Sequence, residues 1–198
     1  MSRAIIAPVC LVILIALCGC KGIGGVKAEP RQPLALTPEE AAKFLEEGRA
    51  LFAVQPRTLD RVTRAARLLE QSARTLHDDY DPQWQAAEAW AFLAENGLHP
   101  VLRKDAAKRG IVLARHAREL KPDRVEGHYW YALNVGLLAD VDRSYGLDAV
   151  GEMEAALKRA IELDERYDLG GPLRVLGILH LRTPLPPASR MFSGFTSR

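Results

Sequence analysis

From Thr37 onward, apolar and polar residues follow each other at the spacing of an α-helix, not of a strand. Ala, Leu, Glu and Arg dominate, and β-branched runs are nearly absent. Apolar residues recurring at i, i+3, i+4 and i+7 mark one buried stripe per helix. Turn formers cut the pattern at Pro56, Asp81-Pro82, Gly97 to Pro100, Lys121-Pro122, Gly146 and Gly170-Gly171-Pro172. The spacing predicts helices over roughly 37–53, 59–77, 82–96, 103–120, 123–139, 146–164 and 171–182. Thr37-Pro38-Glu39-Glu40 is a helix start: a threonine cap, proline in the first turn, then acids on the positive end of the dipole.

The helices echo one another. "ARTLHDDYDP", "ARELKPDRVE" and "AIELDERYDL" each close a helix with Ala-x2-Leu and a charged turn, and Leu76, Leu120 and Leu163 stand 44 and 43 residues apart. The helix after each turn carries Trp90-x2-Leu93, Trp130-x2-Leu133 or Leu173-x2-Leu176. A recurring helix-turn-helix unit predicts an all-α fold, a solenoid of antiparallel helix pairs in which each pair buries its stripe on the next.

These echoes resemble the tetratricopeptide repeat, W-x2-L-G-x2-Y…A-x3-F…P, over Thr37 to about Pro187. Asn134 replaces the glycine, Leu137 the tyrosine, and the spacing exceeds 34 residues. More narrowly, "HYWYALNVG" and "ELDERYDLGGPLRVLGILHLRTPLPP" resemble the tetratricopeptide-like lipoproteins that are T components of TRAP transporters. That resemblance implies a lipid-anchored, periplasm-facing helical protein whose partner is a periplasmic solute-binding protein. In such proteins another helical pair follows the prolines, whereas this sequence departs near Ser189 into "ASRMFSGFTSR", leaving the last helix without its expected cover.

The amino terminus has a different pattern. Arg3 precedes an apolar run from Ala4 to Leu17, which ends in small residues as a secretory signal peptide does. Counted to Gly19 the run is about 16 residues, short of the roughly 20 that span a bilayer as a helix. Leu17-Cys18-Gly19-Cys20 resembles a bacterial lipobox, which implies acylation of Cys20 and cleavage before it. Competing readings are ordinary cleavage after Val26-Lys27-Ala28, some nine residues beyond the run, and an uncleaved anchor. On the lipobox reading, residues 1–19 are the signal peptide and 20–36 a lipidated tether. Residues 37–187 are the repeat domain and 188–198 an irregular tail. Acyl chains then tie the protein to the membrane, each buried methylene contributing about 0.8 kcal/mol. Lys21, where enteric-type sorting reads aspartate as an inner-membrane signal, favours the outer membrane.

Charge and cysteine usage narrow the chemistry. The chain has 27 Lys+Arg against 25 Asp+Glu, interspersed, which gives no footprint for nucleic acid. All three cysteines lie in the first twenty residues, so no disulfide framework or thiolate metal site is expected beyond them. Asp140-x-Asp142-x-Ser144 has the opening spacing of a calcium loop, but Tyr145 and Gly151 stand where glycine and a bidentate glutamate belong. Asp78, Asp79 and Asp81 suit a turn, and the five histidines show no i, i+4 pair. Gly170-Gly171-Pro172 reads as a tight helix start, and no catalytic motif or cofactor site emerges.

Trp90, Trp130, Leu133 and Leu137 read as core. His128, Tyr131 and Val135 form a stripe at i, i+3, i+7. By analogy with tetratricopeptide repeats that stripe lines the concave groove, with Arg174 in the matching place of the next unit. The reading is of a non-enzymatic envelope binding module for a protein or small ligand, alongside a TRAP-type transporter. The alternative is a scaffold for envelope or outer-membrane assembly with no small ligand.

Overall fold

The computed structural model describes residues 36–183. The segments expected as signal peptide and tether up to residue 35, with Cys20, and the residues from 184 on, with the expected tail, lie outside the described residues. Among the described residues the chain is all-helical: α1 (Pro38–Ala53), α2 (Leu59–Thr75), α3 (Tyr80–Asn96), α4 (Pro100–Leu120), α5 (Val125–Val141), α6 (Arg143–Asp164) and α7 (Tyr167–Arg182).

Local signals explain most boundaries. Thr37 closes a capping box: its hydroxyl accepts from the Glu40 amide at 3.2 Å, and its own amide donates to the Glu40 carboxylate at 2.9 Å. The helix expected from residue 103 begins instead at Pro100, because proline suits the first helical turn where no amide donor is needed. The break expected at Gly146 is absent. α6 runs through it from Arg143, after Asp142 has bonded Lys104 at 2.8 Å and accepted from the Ser144 hydroxyl at 2.7 Å. Those contacts, and the ion pair of Asp140 with Arg182, occupy the carboxylates of the calcium-like spacing.

Each helix packs on the next, and the odd-numbered helices also touch one another, α3 against α5 most extensively. Among the described residues no comparable contact joins the even-numbered helices. The seams are lined by small residues: Ala65, Ala66, Ala86, Ala87, Ala107, Ala114, Ala132 and Ala160 are fully buried. Small side chains let helix backbones approach closely, which adds many short packing contacts to the burial of larger side chains such as Leu69, Tyr131 and Leu157.

One polar side chain sits inside this seam. Asn134 of α5 is fully buried; its amide donates to the Ala87 carbonyl of α3 at 3.2 Å and to the Trp130 carbonyl at 2.8 Å. It lies against Gly110 of α4, where an added Cβ would meet Asn134 Oδ1 at 2.1 Å. The glycine expected by the repeat pattern at position 134 is thus supplied by the facing helix. Charged links reinforce the stack. Buried Glu70 of α2 accepts from Arg74 and from Arg109 of α4, and buried Glu126 of α5 accepts from Arg124 and from the Tyr80 hydroxyl at the start of α3.

α7 ends the described chain. Leu179 is buried and Leu176 half-buried, whereas Leu173, Ile178 and Leu181 are exposed among the described residues.

The Gly110→Ala variant is expected to lose about 2–4 kcal/mol of stability by overpacking and by displacing the Asn134 amide bonds. Urea denaturation followed by circular dichroism measures this; an unchanged midpoint contradicts the close approach.

Candidate binding groove

The structure places the expected core tryptophans inside. Trp90 and Trp130 are 7% and 9% exposed. The Arg109 guanidinium lies 5.0 Å over the Trp90 ring, and Trp130 Nε1 donates to the Tyr167 hydroxyl at 3.0 Å.

The expected contact stripe requires correction. His128, Tyr131 and Val135 are all buried, and they do not line an open groove. His128 Nε2 lies 3.0 Å from the Pro122 carbonyl, and burial holds its imidazole below the usual range, which favours the neutral ring. The Tyr131 ring is covered by the guanidinium groups of Arg118 and Arg115 of α4, at 4.3 and 5.7 Å. The cause is the position of α5, which packs against α3, α4, α6 and α7 together. A helix with neighbours on all sides is apolar all round, so its sequence does not reveal a free face.

Arg174 is exposed and belongs to a different feature. It donates to the Leu169 carbonyl, and to the Asp168 carbonyl at 3.1 Å. Asp168, Leu169 and Gly170 have φ of 49°, 55° and 77°, three successive residues in the left-handed region at the start of α7. Tyr129 of α5 donates its hydroxyl to Asp168 Oδ2 at 2.6 Å, and burial together with that carboxylate pushes the phenol well above its usual range. Gly171 follows, where a Cβ would meet the Tyr129 hydroxyl at 2.6 Å. The glycine-rich start of the helix is therefore a pinned turn against α5. A shallow depression of about 450 Å³ at this junction is lined by Glu165, Arg166, Leu169, Gly170 and Leu173, with the Leu169 side chain 93% exposed.

The residues that converge are others. A groove of about 260 Å³ is lined by Arg49, Phe52 and Ala53 of α1, Arg57 of the α1–α2 connection, Leu69 of α2, and Trp84, Gln85 and Glu88 of α3. Arg57 stacks 4.0 Å over the Phe52 ring and 5.8 Å from Phe92. Trp84 Nε1 donates to Asp81 at 3.2 Å. Glu88 has no hydrogen bond among the described residues. Burial raises its carboxyl to about 7, with Arg57 opposing the shift and Asp168 adding to it. The groove thus offers an apolar wall, a cation held by aromatic rings and a carboxyl that changes charge near neutrality. In the sequence its one signal was the lone acid in "QAAEAW", placed among alanines that face inward.

Among the described residues no group of three or more His, Cys, Asp or Glu side chains could hold a metal ion. None of the described helices is long and apolar enough to cross a membrane.

The raised Glu88 sets a pH dependence. The fold favours the protonated carboxyl, so its contribution is fully present below about 4.5 and is lost as pH rises through about 7. Glu88→Gln is expected to match wild type near pH 4.5 and to exceed it at pH 8, by on the order of 1–3 kcal/mol. At about 2–4 °C per kcal/mol the difference is readable by calorimetry. An equal shift at both pH values contradicts this.

No protein-family model matches the chain, and no curated protein matches it significantly.

Proposed function

We propose that the chain is a lipid-anchored binding module of the cell envelope, with antiparallel helix pairs stacked as a tetratricopeptide-like solenoid. On this reading the odd-numbered helices form the inner row and present the groove to a partner or ligand, in the service of a TRAP-type transporter. The observation that carries the binding role is the groove itself: apolar walls beside Arg57 and a carboxyl poised near neutrality. Acylation at Cys20 and an outer-membrane, periplasm-facing location follow from the lipobox and signal-peptide pattern. The resemblance to T components makes a periplasmic solute-binding protein the leading partner. The contacts between odd-numbered helices support the solenoid, since stacked pairs bring the first helix of each pair against the first of the next.

A scaffold role in envelope assembly is the second reading. The exposed Leu98, Val101 and Leu102 around the start of α4 favour it, because clustered apolar side chains mark protein contacts.

A photo-crosslinking side chain placed at Gln85, in the groove, is expected to capture an envelope protein in cells, and the same probe at Gln71, on the exposed side of α2, is not. A palmitate analogue is expected to label wild type and leave Cys20→Ser unlabelled and unprocessed. Capture from Gln71 alone removes the groove, and equal labelling of the two chains removes the anchor.

A further inference from the structure

Two guanidinium groups line the groove, and their surroundings differ. Arg49 donates to Gln85 at 2.6 Å and to Glu46 at 2.7 Å, with Asp81 3.6 Å away. Arg57 donates to the Phe52 carbonyl at 3.1 Å and forms no ion pair among the described residues. Its planar head is held instead by the rings of Phe52 and Phe92. A guanidinium fixed by stacking keeps its remaining N–H donors in a fork that fits a carboxylate, and it loses little freedom when it binds one.

The groove is small. Sites that enclose a whole small molecule run about 300–1,000 Å³, and this one measures about 260 Å³. That volume suits a single bulky side chain lying against Trp84 and Ala53, with buried Phe52 and Leu69 forming the floor beneath.

We infer that the groove is the anchor point for a protein segment, holding one bulky apolar side chain against Trp84 and Ala53 and the carboxylate of an adjacent aspartate or glutamate on Arg57. This deepens the binding role proposed above and rests on it. The carboxylate of the partner gives Arg57 the ion pair it lacks, and the apolar side chain covers the half-buried Trp84. Glu88 tunes the contact. The groups acting on it are Arg57 from the α1–α2 connection and Asp168 of α7, with the Tyr167 hydroxyl of α7 feeling its charge in turn. When Glu88 ionises, its negative charge competes for Arg57 and repels the incoming carboxylate, so binding weakens as pH rises through neutrality.

The test uses the full chain in detergent micelles with 15N-labelled tryptophan, the Trp84 indole resonance being assigned by its loss in Trp84→Phe. Two blocked peptides are titrated, acetyl-Ala-Asp-Phe-Ala-amide and its Asn counterpart, which differ in the carboxylate alone. The Asp peptide is expected to bind saturably and about tenfold tighter, the worth of one charge-assisted pair. Arg57→Gln should erase the preference, Arg57→Lys should keep part of it as a point charge, and Arg67→Gln on the exposed side of α2 should leave it intact. Raising the pH from 6 to 8 should weaken the Asp peptide on wild type and not on Glu88→Gln. Equal binding of the two peptides, no saturable shift, or a preference that survives Arg57→Gln overturns the inference. Phenylacetate binding as tightly as the peptide also overturns it, in favour of a small carboxylate. If the peptides fail while crosslinks from Gln85 persist, the recognition chemistry falls and the groove stands as an interface; if both fail, the groove reading falls with it.

Discussion

The close approach of α3, α4 and α5 around Asn134 is the constraint that sets how α5 sits among its neighbours. Gly110 removes the side chain that would otherwise separate α4 from α5, and the Asn134 amide fills the space and bonds the α3 backbone. A buried amide is costly unless its hydrogen bonds are made, and the Asn134 Nδ2 donor finds the Ala87 and Trp130 carbonyls only in this orientation of its side chain between α3 and α4. With α5 so placed, Tyr131 lies under the arginines of α4, and Tyr129 and Trp130 reach toward α7. Neighbouring alanines then close the seams on either side.

The consequence reaches the start of α7. Two non-glycine residues in the left-handed region cost roughly 1–2 kcal/mol each, and they are held there by named partners. Tyr129 fixes the Asp168 side chain, Arg174 binds the carbonyls of Asp168 and Leu169, and Gly171 leaves room for the Tyr129 ring. Asp168, so placed, adds to the upward shift that burial imposes on the Glu88 carboxyl.

Much of this was legible in the sequence, and the rest failed for identifiable reasons. Breakers and caps located all the described helices, because Thr37, Pro56, Gly97 and Gly170 act on their own neighbourhoods. Boundaries slipped where a residue has two uses: Pro100 starts a helix as readily as it ends one, and Gly146 is tolerated inside α6. The stripe of His128, Tyr131 and Val135 was misread because helical spacing gives the periodicity of a face and not the number of neighbours around it. Asn134 was visible as a departure from the repeat, but its partner Gly110 lies on another helix. The groove was hidden for a similar reason. Arg57 looks like a linker residue and Glu88 like a surface acid until α1, α2 and α3 are brought together.

The account stands on the groove being the face that is covered in the envelope. Ala53 lies on its rim, exposed and small, so an Ala53→Cys variant reports access with little disturbance. The direct measurement compares the rate at which a maleimide modifies that thiol in intact envelopes and in the purified chain. The account predicts rapid modification of the purified chain and strong protection in the envelope, with a cysteine at Gln71 reacting at similar rates in both. Equal reactivity of the Ala53→Cys thiol in the two settings would contradict it.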